Sequence, residues 1–386
     1  MRIQKWFNGP KLWFILPVLL AAACVVAGCS TADSPSAAAA PAPTLVCPTA
    51  AAPTPVSFDD LWKSSPHAAA QAAAFTHWDN TSPQQIPVTC AKCHSRPGFL
   101  DFLGVDGTAA GTVENPAVIG TTITCFVCHN DASSNLDSVT FPSGKRITGL
   151  GPVSLCVSCH EGRASTQTVD DAIAKVAAPS DDTPSANLAF VDSHSISGAT
   201  SFGTEAQGAY EYAGKTYQGR FTRGGNFFTC IQCHDQHTLK VKVEYCTECH
   251  TFAADVKNIR VNTTDYAGDG NTQEGVAFEV QHMHDDLLVA IQAYAKKTAG
   301  VPLVYDQKTY PYFFIDTNGN GKADPAEITA ANKYNAWTPR LLRAAYNYIY
   351  VASDPGAFAH NNTYVFQVMY DSIADLGGNV SGMTRP

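Results

Sequence analysis

The chain has 386 residues, 45% apolar and 15% charged, with 13 cysteines. That length accommodates one or two domains, and the apolar share excludes a wholly disordered chain. Lys and Arg number 25 against 34 Asp and Glu, a formal charge of −9, which excludes nucleic acid as a partner because phosphate binding requires a basic face.

The first 28 residues carry Arg2, Lys5 and Lys11 ahead of an apolar run from Leu12 to Val26, which ends in small residues before a cysteine. This is the layout of a secretory signal, and the run is shorter than the roughly 20 apolar residues of a spanning helix. Val26-Ala27-Gly28-Cys29 resembles the bacterial lipoprotein box. The resemblance implies that Cys29 carries lipid as the mature N-terminus. Ser30, in place of an inner-membrane retention Asp, implies an outer-membrane lipoprotein on the periplasmic or cell-surface face. The alternative is an ordinary cleaved signal with an incidental Cys29. Residues 29–57 are dominated by Ala, Pro, Ser and Thr, too poor in large apolar groups to pack, and read as a tether. Cys47 lies in it without an evident partner and is assigned no role.

Residues 58–260 contain one motif five times: Cys90-Ala-Lys-Cys93-His94, Cys125-Phe-Val-Cys128-His129, Cys156-Val-Ser-Cys159-His160, Cys230-Ile-Gln-Cys233-His234 and Cys246-Thr-Glu-Cys249-His250. Cys-x-x-Cys-His is a c-type haem attachment pattern. Two cysteines at that spacing reach both vinyl groups of one porphyrin as thioethers, and the next histidine reaches the iron. Zinc or disulfides use Cys-x-x-Cys too, but five copies all ending in His on an exported chain favour haem. Ten cysteines are thereby used, Cys24 leaves with the signal, and no disulfide is needed.

First cysteines are spaced 35, 31, 74 and 16 residues apart, so the haems group as three and a close pair, within 161 residues from Cys90 to His250. At that density porphyrins supply much of the core. The predicted fold is a multihaem cytochrome c: a haem-centred core with little regular secondary structure, mainly short helices and loops, followed by an α-helical C-terminal region. Neighbouring haems should touch.

Seven of the 12 histidines lie outside the motifs: His67, His77, His194, His237, His282, His284 and His360. Five distal ligands are expected from them, since only Met283, Met369 and Met383 survive signal removal and Met ligation would raise the potentials. His237, three residues past His234, is too close to reach the far face of the same iron and should serve another haem. His284 sits on the apolar side of a predicted helix with Leu287, Leu288, Ile291 and Tyr294, whereas His282 shares its side with Asp285 and Asp286. His67 is expected to open an alanine-rich helix capped by Ser65 and begun by Pro66, with His77 ten residues on; one of the two is expected to ligate, His67 by preference. His194 and His360 complete the distal set.

Residues 261–386 lack cysteine and read as helices over about 276–297, 325–337, 339–352 and 362–376. Thr338-Pro339 marks a start and Gly377 a stop. Asp316-Thr-Asn318-Gly-Asn320-Gly321-Lys322-Ala-Asp324-Pro-Ala-Glu327 matches the twelve-residue calcium loop. Asp316, Asn318, Asn320, Lys322, Asp324 and Glu327 are the candidate Ca²⁺ positions. The preceding Tyr310–Ile315 segment does not read as helix, so a structural ion pinning the following helix is expected; an Asn/Gly turn without metal is the alternative.

The five motifs, Cys159-His160-Glu-Gly-Arg163, Cys233-His-Asp-Gln-His237, the stretch from Trp337 to Tyr348 and Asp354-Pro-Gly-Ala-Phe-Ala-His360-Asn361 together resemble the polyhaem membrane-associated c-type cytochromes of metal-reducing bacteria. The resemblance implies electron transfer at the outer membrane or outside the cell, with metals, minerals or other multihaem cytochromes as partners. Five bis-histidine haems make a carrier, because a six-coordinate iron leaves no position for substrate. A multihaem reductase for nitrite, hydroxylamine or sulfur compounds, with one open haem, is the alternative. The pentahaem nitrite reductases carry one motif ending in Lys, and all five here end in His.

Overall fold

A computed structural model describes residues 56–223 and 229–386. The signal, Cys29, Cys47 and nearly all of the tether lie outside the described residues.

In the motif region the helices are short: α1 (Phe58–Lys63), α2 (Ala73–Thr76), α3 (Val88–His94), α4 (Arg96–Phe102), α5 (Cys125–Cys128), α6 (Asp131–Asn135), α7 (Val153–His160), α8 (Thr166–Val176), α9 (Ser197–Phe202), α10 (Cys230–Cys233) and α11 (Val243–Thr247). Two antiparallel two-stranded ladders lie among them, β1 (Gln85–Ile86) with β2 (Ala117–Val118) and β3 (Val139–Thr140) with β4 (Arg146–Ile147). Short helices joined by loops make up this part, and its own apolar clusters are small: Phe75, Phe99, Leu103, Ile123 and Val127 in one, Ile86, Ala91 and Ala117 in another. Gly98 lets α4 lie on α3, because a Cβ there would stand 2.3 Å from the Ala91 carbonyl oxygen.

The C-terminal part is built differently. Val280, Met283, Leu287, Ile291 and Tyr294 recur at three- and four-residue intervals and bury one face of α12 (Val276–Tyr294). After it come β5 (Leu303–Tyr305), paired antiparallel with β6 (Phe313–Ile315), then α13 (Pro339–Ala352) and α14 (Ala357–Asp375). Thr338 caps α13, its Oγ1 accepting from the Leu341 N–H at 3.0 Å, with Pro339 in the first turn. Helices α12, α13 and α14 pack together, and α14 also packs on α9. Their core, rich in Tyr346, Tyr350, Tyr364, Phe366 and Trp337, continues to Val139, Phe141, Val157 and Ile196. The change of sequence pattern near residue 260 therefore falls inside one compact unit, Val56–Pro386.

Two predicted helices differ. Residues 325–337 form only a single 3₁₀ turn, Ala330–Asn332, because β6 takes up this backbone: the Tyr334 N–H donates to Phe313 O at 3.0 Å and Asn332 Nδ2 to Ile315 O at 2.8 Å. No helix thus follows the calcium-type loop for an ion to pin. At His67 the expected alanine-rich helix is one 3₁₀ turn, Pro66–Ala68, without a side-chain cap from Ser65; small side chains offer no large apolar face to hold a longer helix in place.

Candidate functional site

Each motif begins on a helical turn. Its two cysteines, three residues apart, lie on one face and offer both sulfurs in the same direction. The ten motif cysteines carry free thiols, which fits two thioethers per motif.

Three motif histidines face a histidine from far along the chain. His94 Nε2 lies 3.5 Å from His194 Nε2. The His129 and His237 rings stand 6.2 Å apart, 11° from parallel, and those of His234 and His360 stand 6.4 Å apart. An imidazole–metal bond is about 2.0–2.1 Å, so two imidazoles on one metal place their nitrogens about 4 Å and their centroids about 6 Å apart. These pairs fit one iron between them. His67 lies within electrostatic reach of His160.

The second ring nitrogen is held in several of them. Nδ1–H donates to the Ala74 carbonyl in His94 (2.8 Å), to the Leu239 carbonyl in His234 (3.1 Å) and to both carboxylate oxygens of Asp354 in His360 (2.8 Å each). His160 Nδ1 shares a 2.9 Å hydrogen bond with Ser195 Oγ. Fixing Nδ1 leaves Nε2 to the metal and sets the ring plane. Burial pulls the His67 pKa down to about 4, with the charge of His160 adding to it, and lowers His94 and His160 in the same sense. These imidazoles are neutral at neutral pH, the form that ligates. His194 sits at φ +62°, a conformation costly for a non-glycine residue and concentrated at functional positions.

The motifs also meet one another. The Cys93 thiol interacts with that of Cys159, and the Cys156 thiol with that of Cys230. Cys128 feels Cys156, and Cys246 feels Cys233. An ion pair between Lys92 of the first motif and Glu161, which follows the third, adds to the first of these junctions. Gly198 brings α9 against the end of α7, where a Cβ would stand 2.7 Å from His160 O. The third motif is thus flanked by the first, second and fourth, and the fourth leads to the fifth.

The chain is 27% identical, in an alignment that covers 82% of its length, to the C-type polyheme cytochrome OmcC of Geobacter sulfurreducens, and 25% identical, in one that covers 78% of its length, to the C-type polyheme cytochrome OmcB of that species. The chain is a polyhaem c-type cytochrome. It spans about half the length of the curated relatives it matches, 46% and 45%. No family model and no solved structure matches it.

Other expected residues of the cytochrome sit elsewhere. His284 is a correction: it is buried in the C-terminal core, its Nε2–H donates to Tyr348 O at 2.9 Å, and its ring stacks on Tyr348 at 3.9 Å. An apolar helix face reads alike for a ligand and a core histidine. His282 lies between Asp269 (2.9 Å) and Glu274 (3.2 Å), and among the described residues these three form the one His/carboxylate cluster close enough for a metal. His77 is edge-on to Trp78 and within charge reach of His94.

The loop from Asp316 to Glu327 is folded back on its own acids. Asp316 accepts from the N–H groups of Gly319 and Gly321 (2.7 and 2.9 Å), Glu327 Oε1 from those of Thr317 and Asn318 (2.7 and 3.2 Å), and Asp324 from the amides of Asn318 and Asn320 (2.7 and 2.8 Å). Hard oxygens in a Gly-turned loop suit Ca²⁺. Sequence reading missed Asp354 and Ser195 as supports for the His360 and His160 imidazoles; the Asp354-to-His360 spacing was the available signal. Among the described residues no helix is long and apolar enough to cross a membrane.

Proposed function

We propose that this cytochrome is an electron conduit with five covalent haems, attached through Cys90/Cys93, Cys125/Cys128, Cys156/Cys159, Cys230/Cys233 and Cys246/Cys249 and ligated proximally by His94, His129, His160, His234 and His250. Four of these haems would each be held by two histidines: His94 with His194, His129 with His237, His160 with His67, and His234 with His360. The 3.5 Å approach of His94 and His194 Nε2 is the observation that carries the reading, supported by the ring separations of two further pairs.

Bound there, each haem supplies a one-electron Fe(III)/Fe(II) couple. The chain's own residues do the rest. They would hold the ligating imidazoles by Nδ1, bring the motifs close to one another, and offer two imidazoles to each of four haems. The inter-motif thiol contacts support an order first, third, fourth, fifth, with the second beside the third. The conduit is not an enzyme in this reading.

Cys29 anchors it by lipid to the outer membrane, where other multihaem cytochromes or extracellular acceptors are its partners, and the Asp316–Glu327 loop holds one structural Ca²⁺. The test is a haem count by pyridine haemochrome and intact mass, with EPR of wild type and His237→Ala. Five haems, with one low-spin signal becoming high-spin in the variant and its thioethers retained, support the reading. An unchanged spectrum removes the His129–His237 pair, and fewer than five haems removes the five-site reading.

A further inference from the structure

The loop that leads into α12 converges on one of that helix's own side chains. His282, in the second turn, places Nδ1 2.9 Å from Asp269 Oδ2 and 3.2 Å from Glu274 Oε1. One ligand atom from each of the three residues lies within 4.8 Å of the others. Nitrogen and oxygen atoms bound to one ion at about 2.0–2.2 Å, with angles between octahedral and tetrahedral, stand about 2.8–3.6 Å apart. Both measured separations are therefore those of neighbouring ligands on a single small cation. Hydrogen bonding does not account for them: His282 Nδ1 and Glu274 Oε1 are withdrawn from solvent and have no hydrogen-bond partner among the described residues.

The surrounding chain holds this arrangement in place. Asn271 occupies the other oxygen of each carboxylate, its N–H donating to Asp269 Oδ1 at 2.8 Å and its Nδ2 to Glu274 Oε2 at 3.2 Å. Asp269 Oδ2 and Glu274 Oε1 are left facing the imidazole, the kind of outer support that orients metal ligands. Asp265 accepts from the N–H groups of Gly268 and Gly270 at 2.6 and 2.7 Å. Tyr266 stacks on Phe366 of α14 at 4.4 Å, so the loop is anchored to the core. Asp286 adds negative charge within electrostatic reach of Asp269 and His282, while the guanidinium of Arg260 is engaged by Glu279 at 2.7 Å. The side chain of Glu274 is 13% exposed and those of Asp269 and His282 are 37% and 43% exposed, which gives an ion a way in and leaves room for water on its remaining positions.

We propose that Asp269, Glu274 and His282 bind a first-row divalent cation of the Zn²⁺ type, which clips residues 265–274 to α12. One imidazole with two carboxylates suits such an ion better than Ca²⁺ or Mg²⁺, which take oxygen ligands. The site shares no residue with the haem motifs, the four histidine pairs or the Asp316–Glu327 loop.

The experiment is equilibrium dialysis of the chelator-treated full holoprotein against Zn²⁺ in excess Ca²⁺, with bound metal counted by mass spectrometry and haem by absorbance. Wild type and Glu327→Gln should each retain one Zn²⁺. His282→Ala should lose at least about 100-fold in affinity with its haem content unchanged, since even changes behind a metal ligand cost about 10–100-fold. Asp269→Asn combined with Glu274→Gln, which keeps the shape of both side chains, should lose as much. No Zn²⁺ on wild type, Zn²⁺ held as tightly by the variants, or displacement by Ca²⁺ overturns the site. A haem that turns high-spin in His282→Ala also overturns it, by making this imidazole a haem ligand.

Discussion

His94 and His194 are 100 residues apart in the chain, and their Nε2 atoms are 3.5 Å apart in space. His194 reaches this position with a left-handed backbone, its N–H donating to Asp192 Oδ1 at 3.2 Å. The arrangement repeats with other partners: His129 meets His237 and His234 meets His360, each from a segment remote in the chain, so the proposed ligation would tie the chain crosswise. His194→Ala should leave all thioethers in place and turn one haem high-spin, read by EPR and intact mass. A spectrum identical to wild type would mean that the two imidazoles do not share an iron.

His360 donates Nδ1–H to Asp354 at 2.8 Å. A carboxylate partner makes an imidazole a stronger donor to ferric iron. Asp354→Asn should raise the potential of one haem by about 50 mV, close to the 59 mV of a tenfold one-electron change, read in a spectroelectrochemical titration. Asp354→Glu should restore most of it. A potential distribution unmoved in the Asn variant would assign Asp354 to folding alone.

Asn347, fully buried on α13, accepts from the Tyr210 N–H at 2.7 Å and donates to Tyr210 O and Ser372 Oγ at 3.0 and 2.9 Å. It joins the loop after α9 to α13 and α14. Asn347→Ala strands these groups, and stability should fall by about 3 kcal/mol, measured as a denaturant midpoint on the holoprotein. A loss below about 1 kcal/mol would show that water replaces the amide.

Glu211 accepts from Thr204 Oγ1 (2.8 Å) and Tyr364 OH (2.9 Å). Burial nonetheless pushes its carboxyl above the usual range, outweighing those hydrogen bonds. Between the ordinary carboxyl pKa and the raised one, the folded state binds more protons than the unfolded chain, so this group lowers stability as pH rises through that window. Glu211→Gln should therefore gain on wild type at neutral pH and lose the advantage near pH 4. Denaturation midpoints of both proteins across that range provide the check, and a constant difference would refute the linkage.

If the Asp316–Glu327 loop holds Ca²⁺, the ion at 100 times its dissociation constant should add about 2.7 kcal/mol to stability. Chelator should lower the melting temperature with the haem spectrum intact, and Glu327→Gln should abolish the calcium response. Equal melting curves with and without calcium would show that the loop's own hydrogen bonds are sufficient.

Local chemistry was readable along the chain. Cys-x-x-Cys-His places its three ligating groups within one turn, so Cys90 or His234 announces its role without knowledge of the fold. The Thr338-Pro339 start of α13 and the alternation of buried residues in α12 are equally local. His284 shows the limit. Periodicity put it on an apolar face, and whether such a face meets porphyrin or Tyr348 depends on a helix 64 residues later. Residues 325–337 show another, since backbone groups that could close a helix instead bond to β6.

The sequence alone therefore determined the cofactor class, the motifs proposed to attach it and the supply of spare histidines, because thioether formation and proximal ligation need only neighbours in the chain. Which histidine faces which, and which motifs adjoin, were decided by the tertiary structure. The meeting of two remote histidines is a long-range contact, and the groups that hold their rings, such as Asp354 at His360 and Ser195 at His160, act only after the chain has brought distant segments together.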